Sequence, residues 1–119
     1  VSAYDAENGS LYIHSSRGYT RSGEIKPELA APGVGISAVA KNGSLTSVTG
    51  TSAAAALTAG AAALLVDWRL EGNPRHLMTS SELKNFLIRG AGRSRDLTYP
   101  NRSWGYGTLN VYGVFESLL

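Results

Sequence analysis

SVTGTSAAAALTAG, residues 47–60, holds a single serine after Gly50 and Thr51 and follows it with a run of very small side chains. Alanine and leucine lead the helix scale, and no proline interrupts the chain from Ser52 to about Leu70, so the spacing predicts a helix over that span. It is apolar almost all round from Ala53 to Val66, which marks a helix inside a protein and not on its surface. Gly60 costs about 1 kcal/mol relative to alanine in a helix interior, and close packing against a neighbouring element would account for it. Ser52 falls in the first turn. Alone, a serine there is a helix cap or a small core residue far more often than a nucleophile.

The surroundings of that helix bound the chain's class. The chain has 119 residues, 43% of them apolar and 17% charged, with 14 glycines, which predicts one packed, turn-rich α/β or mixed domain and argues against disorder. Lys and Arg number 11 against 9 Asp and Glu. The cations are dispersed, the nearest thing to a cluster being Arg89, Arg93, Arg95 and Arg102, without the dense basic stripe and interleaved aromatics of a nucleic-acid surface. With no cysteine there is neither disulfide nor thiolate chemistry. His14 and His76 lie far apart without further ligands, against a structural zinc. Ala53 to Val66 is shorter than the ~20 residues of a membrane span, so it reads as a buried helix of a soluble domain. No signal peptide is visible at Val1, as would also hold for a mature or excised segment.

Upstream, VSAYDAENGSLYIHSS predicts two short strands around an Asn8-Gly9 turn. A short apolar strand follows near Leu29 to Ala31, between Pro27 and Pro32. A second hairpin pairs Ile36 to Ala40 with Leu45 to Thr49 around Asn42-Gly43. Downstream, Thr79 and Glu82 form a capping box, Leu83, Phe86 and Leu87 make one apolar face, and Gly90 stops the helix. WGYGTL is a glycine-punctuated turn into a short strand, and NVYGVFESLL gives a last helix capped by Asn110, with Val111, Phe115 and Leu118 inward. Trp68, Trp104, Tyr106 and Phe115 are expected as core or rim aromatics.

Two stretches together, SSRGYTRSGEIKPELAAPGVGI and GTSAAAALTAGAAALL, resemble the subtilisin-like serine proteases, the subtilases. In that family the nucleophilic serine stands in a Gly-Thr-Ser motif at the start of a buried central helix, and a Pro-Asp-x-x-Ala-Pro-Gly-like segment lies about twenty residues upstream. The resemblance implies that Ser52 is the nucleophile, that Gly50 and Thr51 form the turn presenting it, that Thr49 to Thr51 line part of the primary substrate pocket, and that Ala31-Pro32-Gly33 is the upstream signature. Thr51 is expected chiefly to hold the turn through its hydroxyl. SELKNFLIRGA and WGYGTLNVYGVFESL look like that family's closing helix, turn, strand and helix, so the likeness covers nearly the whole chain. The implied fold is α/β, the C-terminal portion of a three-layer sandwich with a mainly parallel sheet. Three departures stand out. Ala56 replaces the family's usual proline, Leu57 the residue after it that is often histidine, and Glu28 the aspartate of the upstream signature; they point to a divergent branch.

A serine hydroxyl is a weak nucleophile until a base takes its proton. The family order is Asp, His, Ser, which implies that the aspartate, the histidine and the oxyanion asparagine all lie upstream of residue 1. His14 and His76 lack the motif of the family's catalytic histidine, and Asp5, Asp67 and Asp96 match no motif either; all five are expected as solvated or helix-end groups. The chain thus reads as the C-terminal part of a serine endopeptidase domain, inactive alone, with protein or peptide as substrate and the remainder of the domain, or a second copy, covering its open apolar face. Alternative readings are a catalytically dead binding or regulatory module and an unrelated alanine-rich scaffold. No cofactor is expected. Calcium commonly stabilises subtilases, but no carboxylate cluster has an oxygen-ligand loop spacing, so no metal is assigned. Most subtilases act outside the cytoplasm, and secretion or a cell-envelope site is implied only by the likeness.

Overall fold

The computed structural model describes residues 1–119. In chain order the elements are β1 (Ser2–Tyr4), β2 (Ala30–Pro32), β3 (Ile36–Val39), β4 (Leu45–Val48), α1 (Thr51–Gly72), α2 (Ser80–Arg89) and α3 (Val111–Leu118). β1 and β2 pair in parallel, with Ser2 opposite Ala30, Ala3 opposite Ala31 and Tyr4 opposite Pro32. This is the mainly parallel sheet of the expected α/β sandwich as far as the chain carries it, with α1 packed across both strands.

Small side chains make that packing possible. Ala3, Ala31 and Ala54 are fully buried and form one cluster, so the first turns of α1 sit directly on the strands. At Gly33 a Cβ would come within 2.6 Å of Ala3 Cβ, 2.7 Å of Gly50 O and 3.2 Å of Ala54 Cβ. No larger residue fits there without moving the helix. A second core lies further along α1, where Leu65 meets Leu29, Leu87 of α2 and Val114 of α3, with Phe86, Phe115 and Leu118 packed around them. Trp68 meets Phe115 edge-on, their ring centroids 5.9 Å apart.

β3 and β4 form an antiparallel hairpin, Ile36 opposite Val48 and Val39 opposite Leu45. It is the expected second hairpin, one residue shorter on each strand. Its turn closes by Ala40 N–H to Ser44 O (2.7 Å), with Ser44 N–H donating to Asn42 Oδ1 (3.1 Å) and Gly43 at φ 83°. The hairpin stands off from the rest of the chain, and Val39 and Leu45 are 74% and 77% exposed.

Four expectations need correction, and a fifth, Gly90 as the stop of α2, is met with a packing reason of its own. The first hairpin is a turn with one strand: Asp5 N–H reaches Ser10 O (2.8 Å) and Tyr12 N–H reaches Ala3 O (2.9 Å), but the returning segment makes only a Tyr4–Leu11 bridge, and the strand partner of β1 is β2. The strand after WGYGTL is likewise a single residue, Thr108, bridging Ala30 and Gly92. Gly60 has no neighbour within 4 Å of where its Cβ would be, so no contact within this chain explains it. Gly90 does end α2, but at φ −86°; glycine is needed there because a Cβ would strike the backbone of Val114. In α3 the fully buried residue is Val114, which the expected inward set omitted, while Phe115 and Leu118 pack beside it and Val111 is only half-buried.

The expectation of an enclosed α1 is also only partly met. Ala54, Ala61 and Leu65 are its buried residues, whereas Leu57 and Leu64 are 40% and 56% exposed. At 22 residues and a mean hydropathy of 1.3 in its most apolar window, α1 is long and apolar enough to cross a membrane by length and composition alone. Its seating on β1, β2 and α2 is the packing of a domain helix.

Candidate active site

The start of α1 is built by backbone. Gly50 occupies the N-cap position at φ 149°, ψ 170°, and no side chain caps the helix. That φ lies where residues with a Cβ are strained, so glycine is required. Gly50 N–H donates to Gly33 O at 2.7 Å, tying the helix entry to the segment that leaves β2. Thr49 adds a second tie, its Oγ1 accepting from Gly35 N–H at 2.9 Å. Thr51, the residue expected to hold the turn, makes no side-chain hydrogen bond; Thr49 does so instead, because its side chain and not that of Thr51 lies against the Gly33–Gly35 backbone. The Ala31-Pro32-Gly33 signature and the Gly50-Thr51-Ser52 turn are thus in contact, eighteen or so residues apart in sequence.

Ser52 is the second residue of α1 and is exposed. Its hydroxyl caps nothing, which removes the commonest structural role for a serine in a first turn. The N–H groups of Ala53 and Ala54 both turn back to Gly50 O, at 3.1 and 3.3 Å, while those of Thr51 and Ser52 have no partner in the chain. A helix N-terminus with free N–H groups carries roughly half a positive charge. The hydroxyl oxygen of Ser52 therefore stands in solvent beside donors suited to an oxyanion.

The other ionisable candidates lie apart from this point. His14 is exposed and packs edge-on against Tyr12, ring centroids 5.5 Å apart. His76 is exposed, with Nε2 3.7 Å from Glu82 Oε1. Neither hydrogen-bonds Ser52, and Asp5 is engaged with the Glu7 N–H (2.9 Å); Asp67 and Asp96 are exposed. Within this chain no side chain hydrogen-bonds the hydroxyl.

Glu28, where the resemblance expects aspartate, accepts from Lys26 and from Lys84 Nζ of α2 (2.8 Å) on the same oxygen. Partial burial pushes its carboxyl up, but the two ammonium groups outweigh burial and hold it below the usual carboxylate range. Lys26 is raised in turn, first by its hydrogen bond to Glu28. A carboxylate already shared by two ammonium groups is a poor calcium ligand, and no three Asp, Glu or His side chains gather elsewhere; these residues do not fit the family's stabilising ion. The Lys84 contact joins positions 56 residues apart, and nothing in the local sequence announces it.

The sequence matches the profile of the subtilase family over residues 1–107. The chain belongs to the subtilase family. Solved relatives agree. A Clostridium perfringens protease, CspB, is 34% identical with a TM-score of 0.90, over 98% of this subtilase chain and 26% of that one. The prenylagaramide maturation protease PagA is 27% identical with a TM-score of 0.75, over 99% and 41%. The patellamide maturation protease PatA is 25% identical with a TM-score of 0.73, over 98% and 41%. This subtilase segment therefore spans about a quarter to two fifths of the proteases it resembles. No curated protein matches it.

Proposed function

We propose that the protein is a serine endopeptidase of the subtilisin type in which Ser52 is the nucleophile. The observation that carries this reading is the exposed, non-capping Ser52 hydroxyl at a helix start whose first two N–H groups are unpaired. Family membership supplies the reaction class. Ser52 Oγ attacks the peptide carbonyl carbon while its proton passes to a histidine; the carbonyl oxygen becomes an oxyanion accepted by the Ser52 N–H and an asparagine side chain. The C–N bond then breaks, the amine leaves with the histidine's proton, and water hydrolyses the Ser52 ester. The histidine, its aspartate and the asparagine belong to residues outside these 119, which form the C-terminal part of the catalytic domain. Thr49 and Gly50 fix the approach of the loop to α1, and Thr51 borders the substrate.

The same reading gives the open faces an occupant. The exposed Leu57 and Leu64 side chains of α1 are surface that the remainder of the domain would cover. Protein or peptide is the substrate, and no metal or cofactor takes part in the steps above.

The intact protein tests the proposal. Incubated with a mixture of unrelated peptides, it should produce internal cleavages detected by mass spectrometry, and residues 1–119 alone should produce none. Absence of cleavage by the intact protein, or cleavage by the 119-residue segment that is lost in Ser52→Ala, would contradict the corresponding half of the reading.

A further inference from the structure

Thr51, one residue before Ser52, also lines a cleft of about 240 Å³ whose walls include Arg17, Tyr19, Thr20 and Lys26. No carboxylate is among its lining residues, and Arg17 and Lys26 are the charged side chains that are. Arg17 is exposed and takes part in no ion pair. Lys26 is paired with Glu28, but that carboxylate is shared with Lys84, so one negative charge faces two positive ones. Glu24 is the further anion felt by Lys26. Behind the cleft wall Arg102 lies over the Tyr19 ring, 4.7 Å from its centroid, and donates to Gly18 O at 3.0 Å. The cleft is thus positive, and Arg102 holds the Gly18 and Tyr19 that follow Arg17 in its lining.

We propose that Arg17, assisted by Lys26, makes this cleft select an acidic residue close to the scissile bond of the substrate. The inference rests on the reading of Ser52 as nucleophile, which places the scissile bond beside Thr51. A glutamate or aspartate side chain in the cleft gains a guanidinium free to bind it in forked geometry. A lysine there meets like charge, and a glutamine forfeits the ionic part of the contact. Because Arg17 is exposed and touches no reacting atom in this scheme, it sets specificity and leaves the chemical step alone.

The test uses the intact protein and peptides in which each of the three residues on either side of the cleaved bond is in turn Glu, Gln or Lys. At one position kcat/KM should favour Glu over Gln by about fivefold, near the upper end for an exposed ion pair. The preference should shrink at high salt, vanish in Arg17→Gln and persist in part in Arg17→Lys, with the Glu peptide losing more than the Gln peptide in both variants. Equal rates for Glu and Gln at every position, or a preference that survives Arg17→Gln, would overturn the proposal. Binding of the same peptides to Ser52→Ala separates the two readings. Tighter binding of the Glu peptide that is lost on adding Arg17→Gln upholds the cleft even if Ser52 proves not to be the nucleophile, and equal binding overturns the cleft even if Ser52 is.

Discussion

The N-termini of α1 and α2 differ in what satisfies the third helical N–H: the Gly50 backbone carbonyl at α1 and the Thr79 side chain at α2. At α2 Thr79 Oγ1 accepts from Glu82 N–H (3.2 Å) and Glu82 Oε2 accepts from Thr79 N–H (2.9 Å), so side chains satisfy the N-cap and the third helical N–H, while the N–H groups of Ser80 and Ser81 have no partner in the chain. At α1 the cap is a glycine, no side chain turns back, and the N–H groups of Thr51 and Ser52 remain unpaired. The first arrangement stabilises a helix. The second forgoes that stabilisation, and what fixes the helix instead is its seating on Ala3, Ala31 and Gly33.

If that contrast is right, substitutions at the two ends should separate activity from stability. Ser52→Ala is expected to have the largest effect, lowering turnover by about 10⁶, the size of the loss when subtilisin's own nucleophile is removed, while the thermal midpoint stays within a degree or two. Gly33→Ala should cost about 1–3 kcal/mol of stability through overpacking, read by urea denaturation, and should lower activity as well because it displaces the α1 entry. Thr79→Ala should cost about 1 kcal/mol with kcat/KM unchanged. A loss of activity from Thr79→Ala matching its loss of stability would erase the distinction between the two helix starts.

The smallest effect concerns pH. The Glu28 carboxyl is held below its ordinary range by Lys26 and Lys84, so it binds its proton more weakly in the folded state than in the unfolded one. Its contribution is present above the unfolded value of about 4.3 and is lost as pH falls through the lower folded value. With its side chain 22% exposed, the contribution should stay under about 1 kcal/mol. Glu28→Gln should therefore lower stability slightly at pH 7 and leave it nearly unchanged near pH 3, a difference measurable by denaturant titration at the two values.

The same two helix starts show what the sequence makes legible. Thr79 and Glu82 are three residues apart and interact locally, so the capping box can be read from the chain directly. The proposed site at Ser52 rests on the Gly-Thr-Ser and Ala-Pro-Gly motifs, and the structure brings those two motifs together, since Gly50 N–H donates to Gly33 O. What stayed hidden depends on contacts that local pattern does not encode. Asn8-Gly9-Ser10 and Asn42-Gly43-Ser44 share one turn chemistry, Asn Oδ1 accepting from the serine N–H in both. Only the second becomes a two-stranded hairpin; the return of the first makes a single bridge to β1, whose strand partner, β2, arrives 25 residues later. Gly90 and Val114, Glu28 and Lys84, and Arg17 in the cleft beside Thr51 are likewise set by tertiary approach.

Reaction of the intact protein with a fluorophosphonate, followed by peptide mapping, tests the central claim most directly. One adduct is expected, on Ser52 Oγ, that disappears in Ser52→Ala and persists in Thr79→Ala. An adduct on another residue, or labelling undiminished by Ser52→Ala, would contradict it.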